Sequence, residues 1–444
     1  MRSRFFEPEM TPALISSLER NTYPSPQPSH LKKLIEHVKS SRIVMLGEAS
    51  HGTKEFYTWR TEVTKILIEE HGFNFVAVEG DWPPCYAVNQ YVSRHSGPQD
   101  PATPDQALSV FNRWPTWMWA NEETASLVAW LKTRNANKKS VAGFYGLDLY
   151  SLWESTQALM HLLYKKDNET FAKAKNVLDC FQYFGDSAEA YARACSFIPN
   201  SCHAEVLDLL QELKKNQDLI FGGNENLRFL ANQNAHVVKN AEEYYRTMMT
   251  PGPESWNIRD LHMFETLQRL IDNYGERSKG IVWEHNTHVG DARYTDMIER
   301  RMLNIGQLAR QIYGHDQVSL VGFSTYEGNV IAARSWGAPA QEMVVPPARE
   351  NSWEDVFHKI LSNQNGFFLS QGEKHGKAMM EPRGHRAIGV VYNPSTEAYG
   401  NYVPTVLPMR YDAWVFIDKT SAVTPIEEKQ RSKFDAPETF PSAV

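Results

Sequence analysis

The sequence predicts an α/β fold: a mostly parallel central sheet flanked by helices, with an all-helical lobe inserted in it and an active-site cleft between the two. Three observations carry that prediction. Short apolar runs bounded by glycine and polar residues recur at Arg42–Leu46, Phe75–Val78, Ser140–Tyr145, Gly280–Trp283 and Val318–Phe323, as expected of strands buried on both faces. Longer stretches with apolar residues at three- and four-residue steps alternate with them. From about Leu152 to Tyr274 no strand-like run interrupts the helical pattern. The expected organisation is a discontinuous α/β catalytic domain (1–151 and 276–422), a helical lobe (152–275) and a polar, poorly ordered tail (423–444).

Taken in order, the first strand ends at Leu46 and a helix follows. Thr53 is placed to cap it, and Phe56, Trp59, Val63, Ile66 and Leu67 form its core-facing stripe up to Gly72. With the next strand this makes a βαβ unit. Leu207, Leu210 and Leu213, and later Phe264, Leu267 and Ile271, mark helices of the lobe. Pro251-Gly252-Pro253, inside the stretch Tyr245–Ser255, reads as an exposed loop and a lid hinge. A long helix is expected from Asp291 to Tyr313, with Ile298, Met302, Ile305, Leu308 and Ile312 on one side. Further strands are expected at Gly366–Leu369, Ala387–Tyr392 and Ala413–Ile417.

At 444 residues, with 42% hydrophobic and 22% charged residues, the chain can bury a large core. A net charge of −7 argues against nucleic acid or an anionic membrane as partner, because both demand basic patches. No apolar leader or membrane-length run is visible, so a soluble, cytoplasmic protein is expected. Cys85, Cys180, Cys195 and Cys202 show no C-x-x-C spacing and read as reduced, mostly structural thiols.

In an open α/β sheet, ligands bind outside the carboxyl ends of the strands. Glu48 and His51, Glu79, and His285 and His288 follow three of the predicted strands, so these five side chains are expected in one site. There is no G-x-S-x-G, no H-E-x-x-H, no Walker loop and no G-x-G-x-x-G opening a helix after a strand. What remains is a cluster of imidazoles and carboxylates. It can bind a metal with an open water position, or work without metal as a general base and its orienting partners, and spacing leaves both open. His51 precedes a helix N-terminus, whose partial positive charge keeps an imidazole neutral. Arg60, two turns into that helix, is placed either on the surface or against Glu48 or Glu79. Trp114, Trp117 and Trp119, in one short aromatic string, form either an apolar pocket wall or packing between lobes. Cys85 reads as a small buried hydrophobe rather than a nucleophile.

The string Gly47-Glu48-Ala49-Ser50-His51-Gly52, with Arg60 beyond it and then Glu79-Gly80-Asp81-Trp82, resembles the erythromycin esterases. Trp283-Glu284-His285-Asn286-Thr287-His288, the helix opening Trp256-Asn257-Ile258-Arg259-Asp260, and Arg386-Ala387-Ile388-Gly389-Val390-Val391-Tyr392 are similar too. The resemblance runs from about Lys33 to Asp418. It implies metal-independent hydrolysis of a carboxylic ester, the macrolactone of a macrolide above all, with no cofactor. It also implies His51 as general base on water, with Glu48, Arg60, Glu79, His285 and His288 required beside it. The expected partner is a small-molecule ester, and Trp82, Trp114, Trp117, Trp119 and Tyr392 are the expected substrate wall. Two other readings of the same residues are a metal-dependent hydrolase and a non-catalytic protein that binds a hydrophobic small molecule.

Overall fold

In the computed structural model, residues 7–25, 27–93, 101–184, 188–197, 201–371, 374 and 376–426 are described. The strands are β1 (Thr22–Pro24), β2 (Ile43–Leu46), β3 (Phe75–Asp81), β4 (Gly143–Asp148), β5 (Gly280–Trp283), β6 (Val318–Ala332), β7 (Gln341–Val345), β8 (Gly366–Leu369), β9 (Arg383–Arg386), β10 (Tyr402–Thr405) and β11 (Ala413–Thr420). A nine-stranded sheet runs β1-β8-β11-β6-β2-β5-β3-β4, with β7 paired to β6. The six strands from β11 to β4 are mutually parallel, and β8, β1 and β7 add antiparallel pairings at the edges. The mostly parallel sheet expected from the apolar runs is therefore present. β9 and β10 form a separate two-stranded ribbon.

Helices α1 (Pro12–Glu19), α2 (Lys32–Val38), α3 (Lys54–His71), α4 (Trp82–Val92), α5 (Pro104–Leu108) and α6 (Glu122–Asn137) precede β4. Between β4 and β5 lie α7 (Leu152–Leu163), α8 (Asn168–Tyr183), α9 (Ala188–Phe197), α10 (His203–Phe221), α11 (Glu225–Thr247) and α12 (Glu254–Tyr274). After β5 come α13 (Asn286–Val289), α14 (Ile305–Tyr313) and α15 (Trp353–Ile360), with two single-turn helices further on. Residues of β2 alternate between the two faces. Val44 and Leu46 join Leu34, Val63, Leu67 and Val128 of α2, α3 and α6, whereas Ile43 and Met45 join Leu267, Ile271, Ala309 and Val356 of α12, α14 and α15. A strand covered on both faces has no polar side to offer, which is why these runs read as continuously apolar.

The segment between β4 and β5 has its own core of Leu159, Val177, Leu209, Val238 and Tyr244. α12 differs from its neighbours, because its stripe Phe264, Leu267, Leu270 and Ile271 packs on the sheet. This makes α12 a beam shared by the helical segment and the sheet.

Several expectations need correction. The Asp291–Tyr313 stretch is not one helix: Asn304 caps α14 through Gln307 N–H and also donates to the Thr287 carbonyl (2.7 Å), and Arg301 has φ +59°. Ile298 and Ile312 are exposed. Ala387–Tyr392 is not a ladder strand but a strap with bridges Ser50↔Ile388 and Ala333↔Val391. Thr53 does not cap α3 with its side chain, which pairs with Ser50 instead. Cys180 and Cys202 are joined as a disulfide, and Cys85 and Cys195 are free, so the expectation of four reduced thiols fails for two of them. Of the expected tail, Thr424–Ile426 is docked, with Ile426 N–H on the Ala120 carbonyl (2.9 Å); residues 427–444 lie outside the described residues. No helix among the described residues is long and apolar enough to cross a membrane.

Candidate active site

β5 lies between β2 and β3, so the carboxyl ends of these three strands meet at one edge of the sheet. The loop after β2 carries Glu48 and His51, β3 carries Glu79 near its end, and the turn after β5 carries Glu284, His285 and His288. All six are fully buried, as is Arg60 of α3. The structure thus brings together the six residues singled out from the sequence, and divides them into two halves.

In the first half, His51 Nδ1 lies 2.9 Å from Glu48 Oε1, and Arg60 Nη2 donates to Glu48 Oε2 at 2.5 Å. The carboxylate therefore accepts from both sides. With Nδ1–H given to Glu48, the His51 tautomer leaves its Nε2 lone pair open, and this atom has no protein partner. Arg60 is pressed between the rings of Tyr57 (4.7 Å) and Trp283 (4.6 Å). Tyr57 Oη sits 2.7 Å from the carbonyls of His51 and Met118, tying the His51 loop to the aromatic string.

In the second half, His285 Nδ1 accepts from Thr287 N–H (3.3 Å) and faces Thr287 Oγ1 (2.8 Å). That places the ring proton on Nε2, which is buried and has no partner. Burial, then the nearby His51 ring, hold the His285 pKa well below its ordinary value, with Glu79 and the Ala49 backbone acting the other way, so the ring is neutral. The rings of His51 and His285 lie 5.0 Å apart. One Nε2 is an open acceptor and the other an open donor.

Behind His285, Glu79 Oε2 accepts the His285 backbone N–H (2.8 Å), and Oε1 accepts from Arg259 Nη2 (2.6 Å). Arg259 also holds Asp148 through Nη2 (2.7 Å) and Nε (3.1 Å). Its Nη1 reaches His288 Nε2 at 3.1 Å, while His288 Nδ1 faces Asp260 at 2.9 Å and the ring stacks on Trp256 at 4.7 Å. Burial pushes the Glu79 carboxyl up, but His288, Arg259, His51 and the His285 N–H outweigh it and hold it well below the carboxylate range. Burial likewise pushes His288 down, yet Asp260 and Glu79 carry it above its ordinary value. Both His288 nitrogens are engaged, so it braces Glu79 and Arg259.

Arg259, Asp148 and Asp260 were given no role from the sequence. The signals for them are the Arg259-Asp260 pair at the start of α12 and the place of Asp148 just after a predicted strand, and nothing local connects the two across 111 residues. Of the expected substrate wall, Trp82 is stacked between Tyr86 and Tyr145, Trp114 donates to the Ala338 carbonyl (2.9 Å), and Trp119 donates to the Glu79 carbonyl (2.8 Å). Trp117 and Tyr392 are buried, with Trp117 Nε1 and Tyr392 Oη unpartnered. Of these five, Trp119 is tied directly to the edge that carries the site, as a brace behind Glu79. Among the described residues no set of three or more His, Cys, Asp or Glu side chains converges as metal ligands.

A parallel α/β sheet that buries a carboxylate-backed imidazole at its carboxyl edge defines a hydrolase-type site. The comparisons narrow the class. The erythromycin esterase family model matches residues 68–420, and the chain belongs to that family. It is 22% identical over 332 residues to erythromycin esterase type II of Escherichia coli, covering 70% of this chain and 75% of that protein. It is 23% identical over 416 residues to YbfO of Bacillus subtilis (strain 168), covering 87% and 85%. The fold is shared with a mutant of the erythromycin esterase EreC solved in its open conformation, with a TM-score of 0.66, 18% identity, and 90% and 97% of the two chains covered.

Proposed function

We propose that the protein hydrolyses a carboxylic ester by direct attack of water, with a macrolactone as the leading substrate. One observation carries the chemistry: His51 and His285 present two unpartnered Nε2 atoms of opposite hydrogen-bonding sense in a fully buried site. His51 Nε2 takes a proton from water, and the hydroxide adds to the ester carbonyl carbon. The His285 Nε2–H meets the developing oxyanion. Collapse breaks the carbon–oxygen bond, and the His51 imidazolium returns its proton to the leaving alkoxide. Glu48, held by Arg60, orients His51 and faces the imidazolium formed when the ring takes the proton. No acyl-enzyme forms: Ser324, the nearest serine to a nucleophile motif, is bound to Trp414 Nε1.

Family membership and the named relative support a small-molecule ester as substrate class. The test is mass spectrometry of macrolides of different ring size incubated with chelator-treated protein. A gain of one water in any of them, lost in His51→Ala, supports the reading. No gain with any macrolide removes the macrolactone assignment and leaves simpler esters to be screened. Turnover that chelation abolishes and added metal restores overturns the metal-free mechanism.

A further inference from the structure

Beside His285, one buried titratable group has no role in the mechanism. Glu284 is fully buried, and no N–H or O–H donor reaches either of its carboxyl oxygens. β5 pairs in parallel with β3 in the register Val78↔Trp283 and with β2 in the register Leu46↔Trp283. The ladders end there, with β3 bulged against β4 between Val78 and Asp81, and the next residues of the three strands are Gly47, Glu284 and Glu79; Glu79 is the foremost charge acting on Glu284. Neighbouring strands lie about 4.8 Å apart. A carboxylate there, with no donor and another carboxylate beside it, would carry a desolvation cost that buried ions do not bear unpaired. As a neutral acid the same group has a proton to give, and the acceptor next to it is Glu79.

We propose that Glu284 is a positioning residue that remains protonated at neutral pH and donates to Glu79, fixing the carboxylate that holds the His285 backbone. The surroundings agree: burial, then Glu79 and Asp260, push the Glu284 carboxyl well above its ordinary range. The charged groups acting on it are Glu79 on β3, Asp148 on β4, and Arg259 and Asp260 on α12, with His285 and His288 following it in the chain. Three carboxylates already share Arg259 and His288, so ionising Glu284 adds an uncompensated negative charge. The site then loosens at alkaline pH.

The activity arm rests on the hydrolase reading above, and the infrared arm does not. Glu284→Gln keeps a donor but has no proton to lose. In the wild type the infrared spectrum at neutral pH should show the C=O stretch of a protonated, dry carboxyl group that Glu284→Gln lacks and that disappears as the pH is raised. With a turned-over ester, Glu284→Gln should keep kcat near the wild-type value at neutral pH and lose the alkaline limb, whereas Glu284→Leu should lower kcat about tenfold, the worth of one hydrogen bond to a charged group, with KM little changed. Circular dichroism confirms that each variant is folded. A wild-type spectrum without that band, or a Glu284→Gln profile with the wild-type alkaline limb, overturns the assignment. If no ester is hydrolysed by the wild type, the hydrolase reading fails, and the infrared band still decides the protonation of Glu284.

Discussion

The two halves of the site are built in different ways. Glu48, His51 and Arg60 come from one strand–loop–helix turn, with the outer two 12 residues apart, and the hydrogen bonds among them are made within it, Trp283 of β5 adding only a ring against Arg60. The half behind His285 draws on β3, β4, α12 and the turn after β5, and its central bond joins Arg259 to Glu79 across 180 residues. The first half is a local motif that any correctly folded βα unit would present. The second exists only when the beam α12 docks on the sheet. The proposed base is thus set by local sequence and its counterpart by the tertiary fold, so damage to packing should reach His285 before it reaches His51.

The sharpest test of the division is at the open imidazoles. His51→Ala should lower kcat by about 10²–10⁴-fold, the usual worth of a positioned general base. His285→Ala should lower it by about 10²–10³-fold, as for a lost oxyanion donor. Both variants should stay folded with a modest loss of thermal midpoint, because each ring gives up only its Nδ1 bond, to Glu48 or to Thr287, and its Nε2 has no protein partner. A His51→Ala variant with full activity would sink the assignment of the base, and a large drop in midpoint for either variant would recast that ring as a structural one.

At the two arginines the contrast moves from rate to stability. Arg259→Gln uncovers Glu79 and Asp148 together and strips His288 of a contact. Breaking a buried ion pair costs about 3–5 kcal/mol, and here two carboxylates lose one cation. Arg60→Gln exposes only Glu48, which keeps His51. Chemical unfolding should place Arg259→Gln below Arg60→Gln in stability. The reverse order would mean that the second half is not the one that depends on tertiary packing.

This contrast also explains how much was legible beforehand. Glu48, His51 and Arg60 were readable because strand, turn and helix are consecutive, and the crevice rule pointed to Glu79, His285 and His288. Arg259 and Asp148 were not, because a long-range ion pair leaves no periodic trace. The parallel strands were readable because each is apolar on both sides. The Asp291–Tyr313 stretch misled because its apolar spacing is helical, while the tertiary bonds of Asn304 to Thr287 and Gly290 decide where the chain breaks. The disulfide was missed because Cys180 and Cys202 are 22 residues apart without a motif and meet only when the ends of α8 and α10 pack together. The tryptophans are a similar case: composition alone does not separate a pocket wall from a brace, and Trp119 proves to support Glu79 through its carbonyl.

The effect spread most gradually, over several pH units, is also the one that separates two adjacent carboxyl groups. Glu79 is lower in the folded chain than its ordinary 4.5, so its contribution to stability is full above pH 4.5 and is lost as the pH falls through the folded value. Glu284 is raised, so the folded state holds a proton that the unfolded state has released above pH 4.5. The unfolded chain then binds fewer protons, and stability falls as the pH rises from 4.5 toward the folded value, by about 1.4 kcal/mol per pH unit at most. Glu284→Gln removes that slope and leaves the one from Glu79. Calorimetric unfolding from pH 5 to pH 8 should therefore find the variant gaining on the wild type steadily as the pH rises, with the two closest at the acid end. Parallel curves would mean that Glu284 ionises in the folded chain as readily as in the unfolded one, and the carboxyl beside Glu79 would then need a partner that compensates its charge.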